Sequence, residues 1–238
     1  MRLLAAVLVL LVSAVNPAHG APRIVGGVVV DDPAEAPWVV ALTMASGHQF
    51  CGGVLLSATR VVTAAHCVRD RAPESISVVG GRLDLRTDGG TTSVVTALRV
   101  ADGYTGPSRG KDIAWLTLAE PVPHPPLPVA VPGTNLAGVG VVYGWGQQAE
   151  AATTKSPLLH KASIPVVPDE QCAARYDQFD AEAMFCAGYP SGGIDACVDD
   201  SGGPFVLGGR LAGLVSWGVG CARPNTPGVY TRVTTYLS

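Results

Sequence analysis

The sequence predicts an all-β protein, on three observations. Glycine and proline are abundant, with 29 and 19 residues in 238. Short valine-rich runs lie between them, bounded by turn-forming residues. Runs of this kind occur at similar density on both sides of a proline-rich stretch, with no sequence repeat relating the halves. Two antiparallel barrels and a sandwich fit this pattern equally well.

Residues 1–20 stand apart from the rest. Arg2 precedes an apolar stretch from Leu3 to Val15, about the length of a signal-peptide core and short of the ~20 residues a membrane-spanning helix needs. Ala18-His19-Gly20 supplies small residues for signal cleavage. A secreted, extracellular protein is expected, with no membrane attachment once the signal is removed; a membrane anchor is the lesser alternative. Residues 21–23 then form a stub ending in Arg23, and a domain of residues 24–238 follows.

Within that domain the first set of strands is expected at Trp38 to Leu42, Gly53 to Leu56, Arg60 to Thr63, Ile76 to Val79, Thr91 to Val100 and Ile113 to Leu118. Pro121 to Pro132 holds six prolines, a composition hostile to central strands and helices. Residues 121–133 therefore read as a crossing between a first β unit (about 24–120) and a second (about 134–238). The second set is expected at Val139 to Tyr143, Ala162 to Val167, Met184 to Ala187, Pro204 to Leu207, Leu211 to Trp217 and Val229 to Val233. Pro168-Asp169-Glu170-Gln171 starts one short helix ending near Tyr176, since proline and acids suit a first turn.

A net charge of −3 with 15% charged residues gives no support to nucleic-acid or anionic-membrane binding. Six cysteines follow the apolar leader: Cys51, Cys67, Cys172, Cys186, Cys197 and Cys221. An even number in an exported chain argues for three disulfides, although many pairings are allowed. Zinc is the competing use, but the tight ligand pairs of zinc sites are missing. No metal or cofactor is expected. His48, His124 and His160 read as surface or loop residues, and Trp115 and Trp145 as core.

Three stretches carry chemistry. Asp195-Ala196-Cys197-Val198-Asp199-Asp200-Ser201-Gly202-Gly203-Pro204 holds a serine among glycines and acids. Thr63-Ala64-Ala65-His66-Cys67 supplies a histidine, and Lys111-Asp112-Ile113-Ala114 an aspartate leading an apolar run. A serine hydroxyl needs a base near neutral pH, and histidine suits that role. A buried carboxylate can fix the imidazole tautomer, and backbone N–H groups can receive an oxyanion. Spacing alone does not show that these residues meet.

These motifs, with Ile24-Val25-Gly26-Gly27, Gly144-Trp145-Gly146, Ser216-Trp217-Gly218 and Pro227-Gly228-Val229-Tyr230, occur in one order that resembles the chymotrypsin-like serine peptidases, the trypsin branch in particular. The resemblance runs from Ile24 to the C-terminus. It implies two antiparallel six-stranded β-barrels with the active site in the cleft between them. It implies His66 as general base, Asp112 as its orienting partner, Ser201 as nucleophile, and the N–H groups of Asp199 and Ser201 as oxyanion donors. It also implies the pairs Cys51–Cys67, Cys172–Cys186 and Cys197–Cys221. Asp195 would floor a pocket for Arg or Lys, with Gly218 and Gly228 as its walls and Ser216, Trp217 and Gly218 along the substrate backbone. Cleavage after Arg23 would free an amino group at Ile24 to pair with Asp200. The expected partners are protein or peptide substrates with Arg or Lys at the cleaved bond, and protein inhibitors. A monomer is expected.

The chain departs from the family pattern at Asp199, where glycine is usual. The N–H survives, but a side chain is penalised if φ is positive, and a carboxylate opposes a developing oxyanion. Slower turnover is expected, with a preference for cationic residues just after the scissile bond. A weakly catalytic, protein-binding homologue is the alternative reading that Asp199 keeps open. The sequence also ends at Thr234-Thr235-Tyr236-Leu237-Ser238, where family members usually close with a helix, so either that helix is absent or the sequence is incomplete. Residues 80–92 lack the glutamates of the family's calcium loop, so no calcium site is expected there. A β-rich adhesive module would account for the disulfides but not for the ordered motifs.

Overall fold

A computed structural model of the protein describes residues 24–237. Residues 1–20, expected to be the signal, residues 21–23 and Ser238 lie outside the described residues. Thirteen strands and two short α-helices make up the regular structure, with a few 3-10 turns.

Strand β1 (Val28–Val29) comes first and is followed by β2 (Val39–Met44), β3 (Gln49–Ser57) and β4 (Arg60–Thr63). Helix α1 (Ala65–Val68) precedes β5 (Ile76–Gly80), β6 (Thr91–Val100) and β7 (Ala114–Leu118). Strands β2 to β7 close an antiparallel barrel in the order β2-β3-β4-β7-β6-β5, and β2 pairs with β5 to seal it. Inward residues such as Val40, Leu42, Val54, Val61, Ile76 and Leu116 are fully buried, as expected where alternate residues face a closed interior.

The second half contains β8 (Val139–Gly144), β9 (His160–Val167), α2 (Asp169–Ala173), β10 (Met184–Ala187), β11 (Pro204–Leu207), β12 (Arg210–Trp217) and β13 (Gly228–Arg232). Six of its strands close a second barrel through the β8–β9 pairing. Its core stacks Phe185, Phe205 and Tyr230, with ring centroids about 5 Å apart. Closing both sheets removes the free edges an open sheet would present. The prediction of two six-stranded barrels therefore holds, and the sandwich does not.

Several differences from the predicted elements have physical causes. β3 starts at Gln49, not Gly53, and runs through Gly52 and Gly53. Glycine is disfavoured in strands, but a Cβ at Gly52 would lie 3.1 Å from Gly203 Cα. The two barrels touch there through their backbones. Helix α1 was not expected, because four residues show no periodicity. The short strand β1 was also missed; it pairs with β9, so the segment after Ile24 lies against the second barrel. His160 is corrected from surface to core. It begins β9, is 1% exposed, and its Nδ1–H donates to Leu158 O at 2.7 Å. His48 is exposed and His124 partly so.

Residues 121–133 contain no strand. They tie the halves by backbone hydrogen bonds instead, from Leu127 N to Leu55 O (3.1 Å) in the first barrel and from Ala130 N to Leu211 O (2.9 Å) in the second. All three disulfides form, as Cys51–Cys67, Cys172–Cys186 and Cys197–Cys221.

Candidate active site

Each barrel contributes one wall of the site. Helix α1 follows β4 directly and carries His66, and the Cys51–Cys67 disulfide fastens it to β3. Asp112 sits just before β7. Its predecessor Lys111 has φ +57°, a left-handed turn that presents the carboxylate inward. That carboxylate is 1% exposed and well satisfied. Oδ1 accepts the His66 backbone N–H at 2.9 Å. Oδ2 accepts the ring Nδ1–H at 2.8 Å and the Ser216 hydroxyl at 2.6 Å. The β12–β13 register shifts between Val215 and Trp217, so Ser216 stands at a bulge; such a bulge re-aims a side chain. With Nδ1 protonated, Nε2 is left as the basic nitrogen.

The loop from residue 195 to 203 is pinned on both sides. Gly52 N donates to Ser201 O (2.8 Å), Gly202 N to Val215 O (2.8 Å) and Val215 N to Gly203 O (2.9 Å). Gly202 has φ +76°, and a Cβ there would meet Thr63 Oγ1 at 2.2 Å, so no larger residue fits. The Cys67 sulfur lies 3.7 Å from both His66 Nε2 and Ser201 O, which brings Ser201 beside the imidazole. No hydrogen bond joins the Ser201 hydroxyl to His66 among the described residues. Cys51, His66 and Cys67 cluster as metal ligands do, but the disulfide consumes both sulfurs.

A cavity of about 320 Å³ opens beside Ser201, lined by Asp195, Ser216, Trp217, Gly218, Gly228 and Tyr230 among others. Asp195 is 5% exposed. Its Oδ2 accepts Ala222 N–H at 3.2 Å, while Oδ1 has no partner. Burial drives its pKa up to about 7, against the lowering effect of the Ala222 and Ala196 N–H groups. A Cβ on Gly228 would stand 2.8 Å from Asp195 Oδ1, and one on Gly218 would lie 3.9 Å from Gly228 Cα. The two glycines thus face each other across the cavity and keep it open.

Asp200 is more deeply buried still, at 1% exposure. It accepts the N–H groups of Gly146 (2.7 Å) and Cys197 (3.0 Å). Burial raises its pKa to about 7 despite those two bonds, and no Lys or Arg side chain pairs with it among the described residues. Ile24 is fully buried in the second core, and Val25 O accepts the Asp195 N–H at 3.1 Å. Arg23 lies outside the described residues.

Asp199 has φ +71°, so the strain anticipated for a side chain there is real. Neither its N–H nor that of Ser201 donates to a protein acceptor among the described residues. Its carboxylate does not stand alone: Lys155 Nζ lies 3.5 Å from Oδ2. This cation weakens the electrostatic penalty expected from Asp199, and with it the expected pull on cationic residues beyond the scissile bond. Sequence reasoning missed Lys155, and also Gln49, whose Nε2 donates to Asp199 O at 2.8 Å. It also missed the cavity rim, where Glu150 pairs with Arg223 and Val198 stands exposed.

Comparison with known proteins agrees with this arrangement. Residues 24–238 match the family described as Trypsin. The chain is 42% identical to a trypsin of Saccharopolyspora erythraea, over 85% of this chain and 90% of that one. It is 40% identical to a trypsin-like protease of Streptomyces glaucescens, over 93% and 83%. It is 36% identical to trypsin I-P1 of Gallus gallus, over 91% and 87%. A closed double barrel bearing these motifs in order, together with relatives this similar over most of their length, places the chain in the trypsin family as a trypsin-like serine endopeptidase.

Proposed function

We propose that this peptidase is secreted as a zymogen and cleaves peptide bonds after Arg or Lys. Residues 1–20 act as the signal and residues 21–23 as a short propeptide. The observation that carries the specificity is the buried Asp195 Oδ1, without a hydrogen-bond partner among the described residues, beside Gly228 in a cavity that Gly218 also lines. A buried carboxylate with one oxygen unpartnered is costly, and a guanidinium or ammonium entering the cavity would relieve it with charge-assisted hydrogen bonds.

In this reading His66 Nε2 takes the proton of the Ser201 hydroxyl as Oγ attacks the carbonyl carbon. The Asp112 carboxylate holds the ring tautomer and stabilises the imidazolium. The oxyanion accepts hydrogen bonds from the N–H groups of Asp199 and Ser201. The tetrahedral intermediate collapses as His66 passes its proton to the leaving amine, which departs and leaves an acyl ester on Ser201. Water, deprotonated by His66, then attacks the ester carbonyl; as this intermediate collapses, His66 returns the proton to Ser201 Oγ and the peptide leaves as its carboxylic acid. Ser216, Trp217 and Gly218 align the substrate backbone as an added strand.

Activation follows from Asp200. Cleavage after Arg23 creates an ammonium at Ile24, and Asp200 is a buried carboxyl whose side chain is held only by N–H donors and so lacks a cation to favour its ionised form. Pairing the two raises the amine's pKa and lowers that of Asp200, so activity is lost only in alkaline solution as the amine deprotonates. The enzyme works as a monomer without cofactor, on protein or peptide substrates and subject to protein inhibitors.

Protein beginning at Ile24 tests this with matched Arg, Lys, Phe and Ala peptide substrates. Turnover of Arg and Lys only, abolished in Ser201→Ala, is the expected result. A folded, correctly processed protein without turnover would contradict it and favour a binding role for the cleft.

A further inference from the structure

The environment of Asp199 contains a feature that the triad and the pocket do not use. Asp199 is held at two points, which a third contact links. Gln49 Nε2 donates to its carbonyl oxygen at 2.8 Å. Lys155 Nζ faces its carboxylate at 3.5 Å. Lys155 Nζ also donates to the backbone carbonyl of Gln49, so the two braces are joined. Gln49 is 1% exposed, and the side chains of Lys155 and Asp199 are 20% and 26% exposed, so both partners of the pair are partly shielded from solvent. The loop bearing Lys155 is itself docked, with Gln147 N donating to Val198 O at 2.9 Å and Gln147 bridged to Lys155.

We infer that Lys155 is a positioning residue for the oxyanion donor: its ammonium neutralises the Asp199 carboxylate and, through Gln49, holds the strained peptide so that its N–H points into the cleft. The inference rests on reading Asp199 and Ser201 as the oxyanion donors. Two physical requirements coincide at Lys155. A residue at φ +71° needs surrounding contacts to hold it. A carboxylate within a few ångströms of its own N–H opposes the charge that N–H must stabilise unless a cation offsets it. Lys155 meets the second requirement directly. It meets the first by clamping the side chain on one side while Gln49 clamps the carbonyl on the other. It acts on the transition state, where the oxyanion exists, more than on substrate binding in the Asp195 pocket.

The test uses protein beginning at Ile24 as the parent, with Lys155→Met, Lys155→Arg, Asp199→Asn and the double variant Lys155→Met/Asp199→Asn. Methionine keeps the apolar stem of the lysine and removes the charge, and asparagine tolerates positive φ. Three quantities are measured: kcat and KM on an Arg peptide, inhibition by a peptidyl arginine aldehyde, and affinity for an arylamidinium that fills only the Asp195 pocket. Lys155→Met is expected to lower kcat about tenfold and to weaken the aldehyde to a similar extent, since the aldehyde forms the tetrahedral adduct. Amidinium affinity is expected to change less than about twofold. Lys155→Arg is expected to restore most of kcat. In the Asp199→Asn background, the Lys155→Met effect is expected to shrink to less than about threefold, because no carboxylate is left to neutralise.

Equal losses in both backgrounds, an unchanged kcat, or amidinium and aldehyde affinities that fall together would overturn the inference. A parent without activity, or one whose activity survives in Ser201→Ala, would instead overturn the catalytic reading on which it rests.

Discussion

Asp195 and Asp200 are both buried carboxylates with pKa values near 7, and they call for different partners. Asp195 must be ionised to attract a cation. Arylamidinium affinity is therefore expected to climb as pH rises through about 7 and then level off, and titration calorimetry across pH 5–9 would show proton release on binding below the midpoint. An affinity flat across that range would mean that the pocket carboxylate is already ionised. Asp195→Asn should retain the cavity but lose most Arg and Lys turnover, since a neutral amide cannot replace a desolvated charge pair. At Asp199, glycine would relieve the φ +71° strain. Asp199→Gly is expected to raise kcat on an Arg substrate several-fold. The gain should stay below the 10²–10³ that loss of a donor typically costs, because the N–H is present and Lys155 already offsets the charge. An unchanged or lower kcat would contradict this.

Among the elements, the connection from β4 through α1 to β3 has the most to lose. The Cys51–Cys67 disulfide closes a loop with a sequence separation of 16, and removing such a bridge costs about 2–5 kcal/mol. Replacing both cysteines by alanine should lower the denaturant midpoint and reduce kcat, because His66 loses its anchor to β3. Equal activity with lower stability would show that α1 is held by packing alone. Strand positions were readable where valine-rich runs ended at turns, and β4, β6, β10 and β11 match their predicted ranges. The N-terminal half of β3 was not, because its glycines look like strand breakers until the close approach of Gly203 explains them. His160 was misread because a polar residue at a strand start looks exposed in sequence, whereas β9 lies inside the second barrel sheet and buries it. Residue types at the candidate site were legible as motifs. The brace on Asp199 was not, since Lys155 lies 44 positions away in sequence and Gln49 150 positions away.

Considered as one molecule, the chain joins its two barrels through the site itself. The backbone of Gly52 meets Ser201, the Asp112 carboxylate meets Ser216, and Thr231 Oγ1 donates to Asp112 O at 2.8 Å. Any shift of one barrel relative to the other would therefore disturb the histidine, the aspartate and the serine together. The two buried carboxylates also set a pH dependence for the uncleaved chain. Each has a folded pKa of about 7 against roughly 3.9 when unfolded, so between those values the native state binds more protons. The stabilising contribution of the protonated carboxyls is complete below pH 4 and is lost as pH rises towards 7. The uncleaved protein is expected to show a higher melting temperature at pH 5 than at pH 8, and cleavage after Arg23 should shrink that difference by giving Asp200 an ammonium partner. Identical pH profiles before and after cleavage would argue against that pairing.

The most direct test of the central claim is reaction of the protein beginning at Ile24 with a guanidinobenzoate ester. This compound offers the pocket a cation and the nucleophile an acyl group that leaves slowly. The account predicts a burst of one equivalent, an acyl group located on Ser201 by peptide mapping, and loss of the burst in both Ser201→Ala and Asp195→Asn. No burst, or a label on any other residue, would contradict it.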